Sequence, residues 1–594
     1  ASADCVRGGG LFVLLVDQNL RPRYPQITET ASQSVVIDRF KSQVLSTDLY
    51  GCFSSSSTTF VAREPSVQYR PLEGRFKTVD QLNAFQEIVK WLVEPKERVF
   101  VLLSRRGRGK STVVGMALAD LIHSGRLKNV VYVTSAQDSH THTLKKHLLL
   151  DLAEEVTEAS GSNKNYAEFS AHGSKIVFAP PQNIPDDSLL IVDDASTLSF
   201  GLLEHLIEKS NAVLLSTTTY GYEGSGKSFQ TKLFRELRKL GRGFKKFEIY
   251  EPIRYAPGDP LEKALSETFF YDAEIDDRMG PHQFLASFDT KIYSNSQLSG
   301  LDVSSLRELY TVLTEAHYRN EPRDLSYMLE DVNSTTFCLP IDRRVVAVAR
   351  VVKDGPLDKH KTEASLRGAS FPGNLITERL AVRTGKPCVA ELKGVRIARI
   401  AVRPALQGCG YGSLLIREVE GWARGKLFDW VGASFSAQPE VVNFWFKNGY
   451  TLTGLSWTQE PFSNYPSLIC FKPVSQKARE WLRSSFNALQ ELVLSHLPLK
   501  LADERVNAMV VKSLSQEGRV EAADFERLSN FVRWNLPCEL ILPELRRNLF
   551  VLASHMGLTE ISSATALLSG ETSPSLKKSL RRGLGKAMNS LYYQ

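Results

Sequence analysis

Between about residues 77 and 260, short apolar runs alternate with stretches of helical periodicity. Val99–Leu103, Val130–Thr134, Ile176–Ala179, Leu189–Val192 and Ala212–Leu215 are β-branched or aliphatic runs bounded by turn residues or charges. Thr112–His123 and Gly201–Glu208 repeat apolar positions at helical spacing. That alternation predicts a parallel sheet covered by helices. Residues 302–330 read as helical, with Leu306, Leu309, Tyr310, Leu313 and His317 on one face. Phe337–Leu339 and Val345–Val352 predict a hairpin turned at Asp342-Arg343. A strand Val395–Val402, a helix from about Gly412 to Arg424, a strand Trp430–Phe435, a helix Glu440–Asn448 and strands around Thr451–Trp457 and Ser467–Phe471 follow. From about 475 onward the periodicity is helical. Residues 1–76 carry a Ser/Thr tract, Ser54–Thr59, and no legible motif; no internal repeat is present.

A chain of 594 residues exceeds one hydrophobic core. The pattern divides it into a shortened N-terminal α/β segment (1–76), an α/β domain (77–300), a second α/β domain (301–474) and a helical region (475–594). At 42% hydrophobic and 23% charged residues the composition is that of a globular protein. No apolar stretch approaches the roughly 18–20 residues of a membrane span. The opening ASADCVRGGGLFVLLVD lacks a basic leader and reads as a first strand. Seven scattered cysteines, with no CxxC and no histidine at zinc spacing, argue against structural zinc and a disulfide framework and fit a reducing cytoplasm. The net charge of +7 permits nucleic-acid binding only where it is locally concentrated.

Two loops carry recognisable chemistry. SRRGRGKST, Ser104 to Thr112, follows an apolar run and opens a helix. A phosphate-binding loop needs glycines that let backbone N–H groups converge, a lysine for charge and a hydroxyl for Mg²⁺. Gly107 and Gly109, Lys110 and Ser111 supply these, with Ser104 where the usual pattern has Gly or Ala. Downstream, LLIVDDAS ends a strand in paired acids: Asp193 is expected to hold Mg²⁺ and Asp194 to orient the attacking water. Gln81 stands where an upstream glutamine reads adenine in helicase-like ATPases. The second loop lies in RIAVRPALQGCGYGS, where Gln407, Gly410 and Gly412, with an extra Gly408, match the Q/R-x-x-G-x-G/A pyrophosphate loop of GNAT acetyltransferases. In that architecture the strand ending at Val402 splays from its neighbour and a backbone N–H polarises the thioester carbonyl.

Longer stretches carry a more specific likeness: SRRGRGKS, STTTYGYEGSGK, EPIRYAPGDPLEK, AHYRNEPRDL, RIARIAVRPALQGCGYGS and SFSAQPEVVNFWFKNGY. In this order they resemble the tRNA(Met) cytidine acetyltransferase family, bacterial relatives of the eukaryotic RNA cytidine acetyltransferases, over residues 77–472. The resemblance implies a multidomain α/β architecture: a RecA-like, helicase-like P-loop ATPase domain, a GNAT N-acetyltransferase domain and a helical C-terminal tRNA-binding region. It implies ATP-dependent formation of N4-acetylcytidine, in bacteria at the wobble position of elongator tRNA(Met), with acetyl-CoA, ATP (or GTP) and Mg²⁺ as cofactors. Carried over, Gln81, Arg106, Gly107, Arg108, Gly109, Lys110, Ser111, Thr112 and Lys227 would contact ATP. Ile400, Ala401, Val402, Gln407, Gly408, Cys409, Gly410, Tyr411, Gly412 and Ser413 would hold acetyl-CoA, with Glu440 and Lys447 completing the site. Arg403 replaces the His that relatives often have after IAV, Lys227 an Arg, and Lys447 an Arg whose bidentate fork is lost.

Two basic segments are either solvated faces or RNA contacts. One is Lys232–Lys246; the other holds Lys577, Lys578, Arg581, Arg582 and Lys586, with Tyr592 and Tyr593 behind. Phe444, Trp445 and Phe446 read as core, His123 and His317 as structural. Tyr450 reads as a packed aromatic, with protonation of the leaving thiolate the alternative. Acetylation of another RNA or of a protein, with a regulatory ATPase, is the competing function. A helicase with a fused accessory fold would need a second RecA-like half, and none precedes the second loop.

Overall fold

A computed structural model describes residues 34–45, 49–53, 58–62, 74–127, 130–135, 141–152, 157–160, 167–171, 174–198, 200–219, 226–241, 243–271, 289–315, 322–341, 344–459, 465–499, 502–534 and 536–592. They form two compact units, one built mainly by Ala31–Gly280 with Leu298–Glu330, the other by Pro281–Gln297 with Asp331–Gln594.

The first unit opens with α1 (Val35–Leu45) and the hairpin β1 (Leu49–Phe53) and β2 (Thr58–Ala62). Then come α2 (Val79–Val93), β3 (Val99–Ser104), α3 (Lys110–His123), β4 (Val131–Thr134), α4 (His142–Leu152), β5 (Thr157–Ser160), β6 (Ala167–Ala171), β7 (Ser174–Phe178) and β8 (Leu189–Val192). The run ends with α5 (Phe200–Lys209), β9 (Ala212–Thr218), α6 (Gly226–Lys239), β10 (Phe244–Ile249) and α7 (Pro260–Phe269). The strands form one sheet in the order β10-β3-β9-β8-β4-β7-β6-β5, parallel from β10 to β7 with β6 and β5 antiparallel at the edge. Strands β3 and β9 are buried along their whole length, as a sheet covered on both faces requires. One apolar layer joins Ile88, Val114, Leu118 and Leu144 to Phe100 and Leu102; the other joins Leu203, Leu206, Leu233 and Leu237 to Val101 and Leu103.

Next in sequence are β11 (Lys291–Ser294), the short α8 (Asn295–Ser299), α9 (Val303–Glu315) and α10 (Pro322–Glu330). Leu306, Leu309, Tyr310 and Leu313 of α9 are buried as their spacing requires, while His317 lies outside the described residues. Helices α9 and α10 are gathered with the first unit. The buried Glu330 carboxylate at the end of α10 accepts Ser34 Oγ (2.6 Å) and the Val36 N–H (2.9 Å), so it caps α1. Of the 1–76 segment, α1 packs through Phe40 on Ala264 and Leu265 of α7.

The second unit holds β12 (Ser334–Ile341), β13 (Arg344–Asp354), α11 (Lys359–Leu366), α12 (Leu375–Thr384), β14 (Gly394–Val402), α13 (Tyr411–Gly425), β15 (Trp430–Ser436), α14 (Pro439–Lys447), β16 (Thr451–Gln459) and β17 (Pro466–Pro473). Its sheet runs β11-β12-β13-β14-β15-β17-β16 and is antiparallel except at β14–β15. Among the described residues the α-helices α15 (Gln476–His496), α16 (Glu504–Ser513), α17 (Ala522–Trp534), α18 (Leu542–His555), α19 (Leu558–Leu568) and α20 (Pro574–Tyr592) follow. Lys512 ties the group together by donating to the carbonyls of Ala553, Ser554 and Met556 at the end of α18. No helix of the described residues is long and apolar enough to cross a membrane.

Candidate functional site

The first loop sits between β3 and α3. Gly107 and Gly109 have φ of +76° and +80°, the left-handed region that side chains rarely adopt. A Cβ on Gly109 would meet Ile253 Cδ1 at 2.7 Å and Gln81 Nε2 at 3.1 Å, so glycine is required by space as well. No side chain caps α3, which leaves the dipole and amides of its first turn to an anion. From outside, the Ile253 and Arg254 N–H groups donate to Gly107 O (3.1 and 2.9 Å), a brace supplied by the EPIRYAP stretch whose part the sequence does not reveal.

Asp193 follows β8 and is fully buried; Ser111 Oγ donates to its Oδ1 at 3.1 Å. Burial first, then the neighbouring Asp194 charge, pushes the Asp193 carboxyl up to about 6, with Lys110 and the Ser111 hydroxyl pulling the other way. Lys110 Nζ pairs with Asp194 Oδ1 at 2.6 Å. Asp194 has φ +49°, a strained turn that swings its carboxylate to the lysine. Asp193 Oδ2 is buried without a hydrogen bond, beside the hydroxyl-bearing Ser111. Paired acids and a hydroxyl at the phosphate loop are a donor set that fits Mg²⁺.

Gln81 is buried under the loop, its Oε1 accepting the Lys77 N–H (2.9 Å) and its own N–H capped by Thr78. Arg108 corrects an expectation. Its guanidinium is buried and turned inward, donating to Tyr250 O (3.0 Å), Arg106 O (3.3 Å) and Glu262 (2.6 Å). That side chain holds the loop's shape and is not available to a phosphate. Residues 220–225 lie outside the described residues; Lys227 begins in α6, but its side chain is outside the description as well.

The second site is built by a parting of strands. Strand β14 pairs with β15 only at Gly394–Arg396, while it stays paired with β13 as far as Val402. Ala398 is the extra residue of a bulge, since Arg399 and Ile397 face consecutive residues Arg350 and Val351. A bulge bends its strand, and the parting from β15 begins there. At the near end Gly394 and Gly432 permit the close approach: a Cβ on Gly394 would lie 1.9 Å from the Trp430 ring. Beyond the parting, the chain turns through Pro404–Leu406 to Gly408 (φ +80°) and Gly410 (φ +89°), and α13 starts without a side-chain cap.

Gln407 is exposed and donates from Nε2 to Val402 O (3.1 Å), tying the loop to the end of β14. Gly408, Cys409 and Gly410 are exposed, and Ser413, Ile400 and Val402 are half-buried. Ala401 and Tyr411 have buried side chains. Gly412 lies against Phe444, where a Cβ would sit 3.1 Å from the ring. Glu440 and Lys447 are exposed on α14, two turns apart. Arg403 is buried and donates to Val345 O, a structural bond that pins the end of β14 to β13. Tyr450 is buried against Trp445 (4.9 Å between rings), and burial with the Glu420 charge raises its phenol well above 10. It is the packed aromatic its setting suggests.

The basic segments are largely answered by acids. On α6, Glu236 takes Lys239 (2.8 Å) and Arg235 (3.4 Å); Lys246 pairs with Glu248 (2.9 Å) and Lys245 with Glu87. On α20, Lys577 faces Glu539 (3.5 Å), Arg582 and Lys586 share Glu560 (3.1 and 3.5 Å), and Arg581 lies over the Phe531 ring while donating to its carbonyl. Lys578 is exposed, and Tyr593 lies outside the described residues.

Residues 101–272 match the family described as RNA cytidine acetyltransferase NAT10/TcmA, helicase domain, and residues 308–429 match GNAT acetyltransferase 2. The tRNA(Met) cytidine acetyltransferase TmcA 2 of Saccharolobus solfataricus is 30% identical over 523 residues, 83% of this chain and 67% of that protein. The TmcA proteins of Thermofilum pendens and Nitrosococcus halophilus are each 31% identical, over 65% and 73% of this chain. The chain spans 50% and 57% of their lengths. With both loops inside the residues that the family models match, the chain belongs to the tRNA(Met) cytidine acetyltransferase family.

Proposed function

We propose that this chain transfers the acetyl group of acetyl-CoA to N4 of a cytidine in RNA, with the wobble cytidine of elongator tRNA(Met) as substrate, and hydrolyses ATP in doing so. The observation that carries the reading is a splayed strand pair ending in an uncapped, glycine-led helix, in the same chain as a phosphate loop bonded to a buried acid. The amides that open α13, between Gly408 and Ser413, would receive the coenzyme pyrophosphate, with Gln407 beside them. Backbone from Ile400 to Val402 would run along the pantetheine arm and polarise the thioester carbonyl. Glu440 and Lys447, exposed on α14, would complete the site.

In the ATPase unit, Lys110 and the α3 amides would hold the phosphates, and Ser111 and Asp193 a Mg²⁺ that neutralises charge on them. Asp194, released from Lys110 by the nucleotide, would orient water. Gln81 would brace the loop and read the adenine edge, and Lys227 would complete the site. The cytidine amine is a weak nucleophile because its lone pair is delocalised, yet the thioester is already activated. ATP is therefore best used in reshaping the anticodon loop so that the base leaves its stack. The reaction would take place in the cytoplasm, with Lys578 and its neighbours on α20 among the RNA contacts.

Labelled acetyl-CoA, incubated with the chain with and without ATP and bulk tRNA, tests the reading. Label should enter nuclease-sensitive material only when both are present. Label transferred to protein without RNA would favour a protein acetyltransferase with a regulatory ATPase.

A further inference from the structure

Helix α12 carries Arg379 and Arg383 one turn apart, facing β16 and β17. Arg383 Nη1 donates to Gly454 O and Arg379 Nη1 to Ser467 Oγ, both at a long 3.4 Å, and these are the only hydrogen bonds the two guanidiniums make among the described residues. Glu378 accepts the Phe371 N–H (2.7 Å) and Ser370 Oγ (3.0 Å); Arg379 acts on its charge, but the two form no ion pair among the described residues. Partly buried like charges one turn apart repel, and a guanidinium with most of its donors unused is costly to desolvate. Burial, with Arg379 adding to it, pulls Arg383 down to about 10. An anion would relieve both costs, and the guanidinium fork matches phosphate.

Beside the arginines lies an aromatic platform. Trp457 is 55% exposed, and its ring sits 4.1 Å from the ring of His496, which is buried. The Arg383 charge acts on His496, so the stack and the arginine are neighbours. The position matters as much as the chemistry. Ser467 pairs with Ser436 at the far end of β15, beyond the point where β14 has left that strand. The Arg379 end of the cluster therefore stands level with the parted ends of β14 and β15, on the side of β15 that β17 covers.

We propose that Arg379, Arg383 and Trp457 form a nucleotide subsite that grips an RNA phosphate and stacks a base at the end of the sheet where β14 and β15 part. The proposal rests on the reading of the chain as an RNA acetyltransferase. Phosphate and stacking surface together favour RNA over an acidic peptide, which would use the arginines alone.

The test titrates the full chain against an unmodified tRNA(Met) transcript across a salt series. Arg379→Gln with Arg383→Gln should weaken binding about tenfold or more and lower the salt slope by about 0.7–0.9 for each phosphate no longer neutralised. Trp457→Ala should weaken it about tenfold with the slope unchanged, and Trp457→Phe should recover most of the loss. Acetyl-CoA affinity should stay at the wild-type value in all of them. If the arginine variant loses acetyl-CoA affinity, its fold is damaged and the exposed Trp457 pair decides. Wild-type tRNA affinity and wild-type slope in variants that bind acetyl-CoA normally would overturn the subsite alone. A wild-type chain that neither binds nor acetylates tRNA overturns the proposed function and the subsite with it.

Discussion

At the scale of single residues, the two sites depend on a few atoms whose loss has separable effects. Lys110 is the cation of the phosphate loop and is held by Asp194 at 2.6 Å. Lys110→Ala should reduce ATP turnover by roughly 10²–10³-fold, the scale of removing one preorganised charge-stabilising group. Acetyl-CoA affinity, measured by calorimetry, should be unchanged; an equal loss in a folded variant would contradict the two-site layout. Gly410 has φ +89° at the head of α13. Gly410→Val forces a branched side chain into a conformation that costs an L-residue about 1–2 kcal/mol. Its acetyl-CoA dissociation constant should rise about tenfold or more while ATP turnover persists. Glycines, lysine and acids at these positions are legible in the sequence because their spacing is local. The inward turn of Arg108 is not, because its partner Glu262 lies 154 residues away and only the fold brings the two together.

At the scale of elements, periodicity is a sound guide wherever strands and helices alternate. The parallel sheet around β3, the hairpin of β12 with β13 and the run from β14 to β17 follow from apolar runs and turn residues, while the strand order, and β10, β6 and β5 within it, do not. The parting of β14 from β15 accords with the expected architecture, but the bulge at Ala398 that accompanies it leaves no sequence signature. Charge runs are the weakest guide. Helix α20 reads in the sequence as a solvated face or an RNA contact, yet Leu580, Leu584, Ala587 and Met588 are buried and most of its cations meet acids or an aromatic ring. Removing Ser575–Gln594 would thus remove core as well as charge and would not isolate an RNA contact.

The same helical region offers a pH-dependent reading of stability. Asp524 accepts Arg547 through two bonds (2.7 and 3.1 Å) and Asn548 (2.7 Å), and the Arg547 bonds above all hold its carboxyl below the ordinary 3.8. A depressed carboxyl stabilises the fold fully above the unfolded value and loses that contribution as pH falls through the folded one. Asp524→Asn should therefore lower the melting temperature at pH 7, and only modestly because Arg547 is exposed. The gap in melting temperature between wild type and variant should close below about pH 4. A gap that stays constant into acid would mean that the carboxylate charge contributes nothing.

At the scale of the whole molecule, the central claim is that one chain acetylates a cytidine of tRNA(Met) in a reaction that requires ATP. Family membership and the formed loops support it, and the product is chemically specific. The most direct measurement is mass spectrometry of nuclease fragments from a tRNA(Met) transcript after reaction with acetyl-CoA and ATP. The account predicts one acetyl group on the fragment carrying the wobble cytidine. It predicts none when that cytidine is replaced by uridine, when ATP is omitted, or with Lys110→Ala. Acetylation of the uridine transcript at the wild-type level, or full acetylation without ATP, would contradict it.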